Sequence, residues 1–194
     1  MESVTLGVDD TKNMSESVKA LFESVHKVLV THCKLNKKAM CAAHALGYNG
    51  FKRWHRYRSR CFFDLDVKLA NELFDRFRIR ADFKDYELNY SPSTLEEHLK
   101  AWQKAILEGV QELGTLGKEY FSQTGTRCCV IDCAMEKMGK DYERVCRLLK
   151  RFTESDWLTL DMHIVDDKLH DKYKRKEEGD KWNSMTNHAH EKKS

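Results

Sequence analysis

The sequence predicts an all-α protein, a four-helix bundle with one long crossover and a short fifth helix. Three observations lead there. Apolar residues recur at three- and four-residue steps through four long segments, and no stretch alternates with the period of two that a half-buried strand requires. The links between these segments run short, long, short, the loop order of a bundle with a single crossover. Composition agrees: 194 residues with 41% hydrophobic side chains, one Pro and nine Gly suit long uninterrupted helices around one core.

The first segment aligns Val18, Leu21, Phe22, Val25, Val28, Leu29 and Leu35, so a helix is expected from about Glu16. Gly47, Asn49 and Gly50 punctuate a short turn. The second helix follows on Phe51, Trp54, Arg58, Phe62, Leu65, Leu69 and Leu73, and a longer connection then runs from about Ile79 to Ser91. Pro92 bars a helix from entering the third segment from before it, and Ser93-Thr-Leu-Glu96 reads as its capping box. Leu95, Leu99, Trp102, Ile106 and Leu113 carry that third helix. Thr124-Gly125-Thr126 turns into the fourth, on Val130, Ala134, Met138, Val145 and Phe152. A shorter amphipathic piece spans Trp157 to His170. Residues 171–194 are charged and aperiodic and read as a disordered tail. The expected organisation is therefore a flexible 1–14, a bundle over 15–170 and the tail.

Charge is distributed unevenly. The whole chain carries 34 basic and 31 acidic residues, yet Ser24 to Phe63 holds no Asp or Glu against nine Lys or Arg. Such a field favours phosphates and other anions. Within it Arg53, Arg56 and Arg60 share one side of the second helix and form the candidate anion-binding stripe. The competing reading is a charged face answered by acids elsewhere, such as Asp64 or Glu72. No apolar run reaches membrane-spanning length and the first residues lack the apolar segment of a signal peptide. With seven cysteines, an odd number, the expectation is a cytoplasmic protein with reduced thiols and no membrane partner. A glycine-rich phosphate loop, a nucleophile elbow and a Cys-x-x-Cys pair are all missing, which removes support for the common nucleotide-binding, hydrolase and zinc-ribbon classes.

The segment from Lys27 to Arg76 resembles ferritin helices A and B laid down without a gap, with Phe51, Trp54, Ser59, Lys68, Leu69 and Arg76 at positions of the same or similar residue. His163-Ile-Val-Asp-Asp-Lys168 resembles the ferritin fifth-helix pattern. The resemblance implies a ferritin-like bundle covering roughly residues 16–170. It also implies where a ferroxidase centre would lie: a Glu at the position of Lys27, a Glu-x-x-His at Phe62 and Leu65, and a Glu near Glu108. Hard iron ions take oxygen and imidazole ligands, and ammonium, phenyl and isobutyl groups supply none. Ferroxidase activity is therefore expected to be absent, so the chain is not expected to be an enzyme. No cofactor is implied, and iron would enter only through co-assembly or mineral.

Similarity to ferritin light chains adds a second expectation, that Lys27 or Arg58 points inward and pairs with Glu108 where the metals would sit. The alternative leaves Lys27 and Glu108 in solvent. The light-chain pattern also puts Arg53, Arg56 and Arg60 on the cavity face, where glutamates would nucleate mineral. Cys129 and Asp132 fall where ferritins line a pore, with plain helix packing as the competing reading. Two weaker metal readings are Glu23-x-x-His26 and a one-residue slip that would bring Cys61 and Asp64 inward. The function implied is a structural subunit of a hollow homo-oligomeric shell of up to two dozen chains. It would be protective or polyanion-holding, by analogy with artemin, a cysteine-rich ferritin homologue, with RNA or another polyanion as partner. The alternatives are iron storage by co-assembly with active ferritin subunits, and a helical adaptor using the basic second helix to bind nucleic acid or protein.

Overall fold

The computed structural model describes residues 8–79, 88, 90–154 and 159–191, with side chains over 16–79, 88, 90–151 and 162–179. Five helices account for nearly all of them: α1 (Val8–Ala45), α2 (Asn49–Phe77), α3 (Leu95–Thr124), α4 (Cys129–Glu154) and α5 (Thr159–Glu191). The directions follow from which residues meet. His26 pairs with Asp66 and Cys33 with Ser59, so α1 and α2 are antiparallel. Gln103 reaches Cys146, and Gly117 lies against Ile131, so α3 and α4 are antiparallel as well. His55 meets His98 and Arg76 meets Tyr120, so α2 and α3 run parallel. Parallel neighbours cannot be joined by a tight turn. The chain must travel the length of the bundle between Phe77 and Leu95, which is the single crossover.

The apolar stripes form one core, with Phe22, Leu29, Phe51, Trp54, Leu69 and Trp102 among its fully buried members. Two turns use left-handed backbone at glycine, Gly47 (φ 84°) and Gly125 (φ 67°), where a Cβ would be strained. At α3 the cap lies one residue later than expected. Thr94 is the N-cap and accepts a hydrogen bond from Glu97 N at 3.2 Å, while the Glu97 carboxylate accepts from Ser93 N at 2.9 Å. Thr94 to Glu97 has the same Thr-x-x-Glu spacing as the predicted Ser93 to Glu96, so sequence alone could not choose between them.

The two ends of the domain differ from expectation. α1 begins at Val8, inside the segment read as flexible. α5 continues to Glu191, through the segment read as a disordered tail. Trp157, the expected start of the fifth helix, and most of the crossover lie outside the described residues. As far as Glu177 the extension of α5 has a physical cause: Met162, Asp166, Leu169, Tyr173 and Glu177 are all buried along one side of it. Their three- and four-residue spacing is helical, but two of the five are carboxylates, which hides the stripe from an apolar pattern.

α5 is fastened to the start of α2. Tyr48 gives α2 no side-chain cap, and Asp166 Oδ1 accepts from Phe51 N at 2.8 Å instead. The backbones touch at Gly50, where a Cβ would lie 1.8 Å from Asp166 O. Only glycine permits that approach.

Candidate functional site

Of the four positions matched to a metal centre, the two on α2 face the core and carry only hydrocarbon. Phe62 and Leu65 are buried, 1% and 4% exposed. The His32 ring packs 5.5 Å from Phe62 and 6.3 Å from Trp102, centroid to centroid. Gly109 on α3 makes the room, since a Cβ there would stand 2.3 Å from His32 Nε2. Burial lowers the His32 pKa to about 4, opposed by a hydrogen bond with the Ala105 backbone, so the ring is neutral.

Beside it a chain of hydrogen bonds crosses the core. His55 Nδ1 lies 3.1 Å from Asn36 Oδ1, His55 Nε2 lies 2.9 Å from His98 Nε2, and His98 Nδ1 lies 2.8 Å from Tyr90 Oη. Asn36 closes it by donating to the His32 carbonyl at 2.8 Å. One proton order satisfies every link. His55 Nδ1–H donates to the Asn36 carbonyl, His98 Nε2–H donates to His55, and the Tyr90 hydroxyl donates to His98 Nδ1. Burial lowers the pKa of His55, helped by neighbouring His98, and burial lowers that of His98 to about 4. Both imidazoles are neutral, as that order demands. The chain ties α1, α2, α3 and the end of the crossover together. Its members sit at core positions of the helical stripes, so the available sequence signal was polar residues at apolar spacing.

The expected Lys27 or Arg58 bridge to Glu108 does not form. Lys27 is exposed, and Glu108, with its side chain 64% exposed, faces Lys104 at 3.9 Å on its own helix. Lys27 and Glu108 share only an outer groove of about 390 Å³ between α1 and α3. The helical stripe admits Val28 and Leu29 and turns Lys27 outward. Arg58 does point inward, but to α4. Its Nη2 donates to Asp141 Oδ1 at 2.7 Å, and its Nε stands 2.6 Å from Oδ2, close but poorly aligned for a hydrogen bond. Trp54 Nε1 adds a third contact to Oδ1 at 3.3 Å. Burial raises the Asp141 pKa, opposed by Arg58, Arg144 and the Trp54 hydrogen bond. Two charges this deep require each other.

The basic stripe is also answered. Glu177 of α5 accepts from Arg53 Nη1 at 3.0 Å and lies 3.7 Å from Arg56 Nε. Asp166 and Asp167 line a cleft of about 390 Å³ together with the same two arginines. Tyr173 packs 5.4 Å from Tyr57, and the Lys176 ammonium sits 5.0 Å over the Tyr57 ring. α5 thus covers the part of α2 read as a cavity-facing anion site, and of the three arginines only Arg60 remains outside these contacts. Glu177 lies in the segment read as tail, which is why the stripe looked uncompensated.

The weaker metal readings fail on geometry. Glu23 is exposed while His26 turns inward to Asp66 at 2.6 Å. Asp64 is exposed and Cys61 half-buried, because Phe62 and Leu65 hold the inward positions in the ungapped register. Cys129 and Asp132 are both exposed on the first turn of α4. Among the described residues no three His, Cys, Asp or Glu side chains converge as a metal site, and none of the helices is long and apolar enough to cross a membrane.

The crossover order, the antiparallel hairpins and the added helix define a ferritin-like all-α fold. A humanized archaeal ferritin matches with a TM-score of 0.63 at 10% identity, covering 86% of this chain and 98% of that one. An open-pore ferritin from the hyperthermophilic archaeon Archaeoglobus fulgidus matches with a TM-score of 0.60 at 9% identity, over 82% and 95%. A closed form of the A. fulgidus ferritin made by site-directed mutagenesis matches at 0.54 and 10%, over 86% and 97%. No protein-family model and no curated protein sequence matches the chain.

Proposed function

We propose that this chain is a structural subunit of a ferritin-like shell that performs no ferroxidase chemistry of its own and serves a protective role. The observation that carries the reading is the His32, Phe62 and Trp102 packing over Gly109. It occupies the bundle centre where the resemblance calls for carboxylates and imidazole. Hydrocarbon and a neutral, desolvated imidazole supply neither the charge nor the oxygen donors that paired iron ions need. Assembly is supported by the match to ferritins over nearly their whole length. Large apolar side chains left on the surface, including Phe63, Phe74 and Phe121, are 45–58% exposed and available for contacts between copies.

The test is electron microscopy of the purified protein together with its mass in solution. A closed hollow particle built from many copies is expected, because ferritin-like subunits associate through symmetric interfaces. A monomer or a simple dimer at micromolar concentration overturns the shell. Polyanion retention, if the shell has it, runs through basic surface other than Arg53 and Arg56, since Glu177 already occupies those two.

A further inference from the structure

We infer that Cys129 and Cys133, on the first turns of α4, form a paired-thiolate site for a thiophilic divalent d10 cation of the zinc or cadmium class. The inference rests on geometry at one place in the fold. The two sulfurs are 3.9 Å apart, one helical turn from each other, and both are free thiols. Cys129 is exposed and Cys133 half-buried, so a cation reaches them from solvent. Two thiolates on a tetrahedral ion, each roughly 2.3 Å from it, stand roughly 3.8 Å apart. The pair is already set at the edge length of such a site.

The same spacing argues against a disulfide. Residues four apart on a helix have their Cβ atoms roughly 5–6 Å apart, whereas a disulfide needs about 3.5–4.5 Å. Joining the sulfurs would unwind the start of α4, while sharing an ion leaves the helix intact. Burial and the neighbouring Cys129 raise the pKa of Cys133, opposed by the Lys137 charge. A bound cation removes that mutual repulsion. Adjacent Cys128 takes no part: it is buried, its thiol faces Glu72 Oε2 at 3.7 Å, and burial pushes its pKa up to about 12. The reaction is a displacement without redox change. One M²⁺ replaces two thiol protons, giving two M–S bonds and two released protons, and water fills the positions open to solvent.

Cadmium is the probe, followed by its thiolate charge-transfer absorbance in the reduced full-length protein. One Cd²⁺ per chain is expected, with an absorbance corresponding to two thiolates. Cys129→Ser and Cys133→Ser should each weaken binding at least tenfold, while Cys41→Ser, at an exposed single thiol, should leave it unchanged. Phenylarsine oxide provides a second readout, because it bridges two thiols with loss of one water. The bridged adduct should form on the wild type and be missing from either serine variant, whose circular dichroism checks that α4 is folded. Cadmium absorbance that survives the double Cys129→Ser/Cys133→Ser change, or that disappears with Cys41→Ser, overturns the site.

Discussion

At the residue scale, the buried histidines make stability depend on pH. An unfolded imidazole takes up a proton near pH 6.5, whereas folded His32 and His98 do so only near 4. Between those values the unfolded chain binds more protons. Stability is therefore full above about 6.5, falls as pH drops toward about 4, and levels off below. At about 1.4 kcal/mol per pH unit, each ring contributes roughly 3 kcal/mol across the window. Urea unfolding at pH 7 and pH 5 should show the loss, and His98→Gln should flatten the slope; equal slopes in variant and wild type would refute it. The Arg58–Asp141 pair gives a second expectation. Asp141→Asn leaves a buried guanidinium uncompensated and should cost ~3–5 kcal/mol, whereas Arg58→Met with Asp141→Leu should cost markedly less. Thermal melts of the three proteins decide it. Asp141 could not be chosen as partner from sequence, since pairing across α2 and α4 depends on helix register.

At the element scale, the four long helices were legible because each carries a long, mainly apolar stripe at helical spacing, and the crossover was legible from link lengths. The capping box was off by one residue because Ser93 and Thr94 both precede a glutamate at the right spacing. α5 was legible only in its first half. Its buried side depends on Asp166 as a cap for α2 and Glu177 as a counter-ion for Arg53 and Arg56, and neither role shows in a hydrophobic pattern. The docking is testable at Gly50. Gly50→Ala drives a methyl into the Asp166 backbone, so α5 should detach while α1 to α4 hold, with limited proteolysis cutting within 159–191 first. Protection equal to wild type would mean α5 is not held there. The stripe follows the same logic: Glu177→Gln removes the counter-charge, so elution from an anionic heparin column should move to higher salt. Unchanged elution would show that Glu177 does not mask Arg53 and Arg56.

At the scale of the whole molecule, a ferritin-like fold is combined with a bundle centre packed by His32, Phe62 and Trp102. The fold was legible from four stripes and a loop order. The inward, buried placing of Phe62 and Leu65 was legible from the helical stripe. What fills the centre was not, because the His32, His55, His98 and Asn36 contacts join residues far apart in the chain. The direct test is ferrous iron with oxygen, followed by ferric absorbance on the assembled protein and compared with buffer alone. The account predicts a rate indistinguishable from buffer, unchanged by Glu108→Gln. A rate well above buffer that Glu108→Gln or Glu23→Gln abolishes would contradict it and restore a metal centre to the bundle.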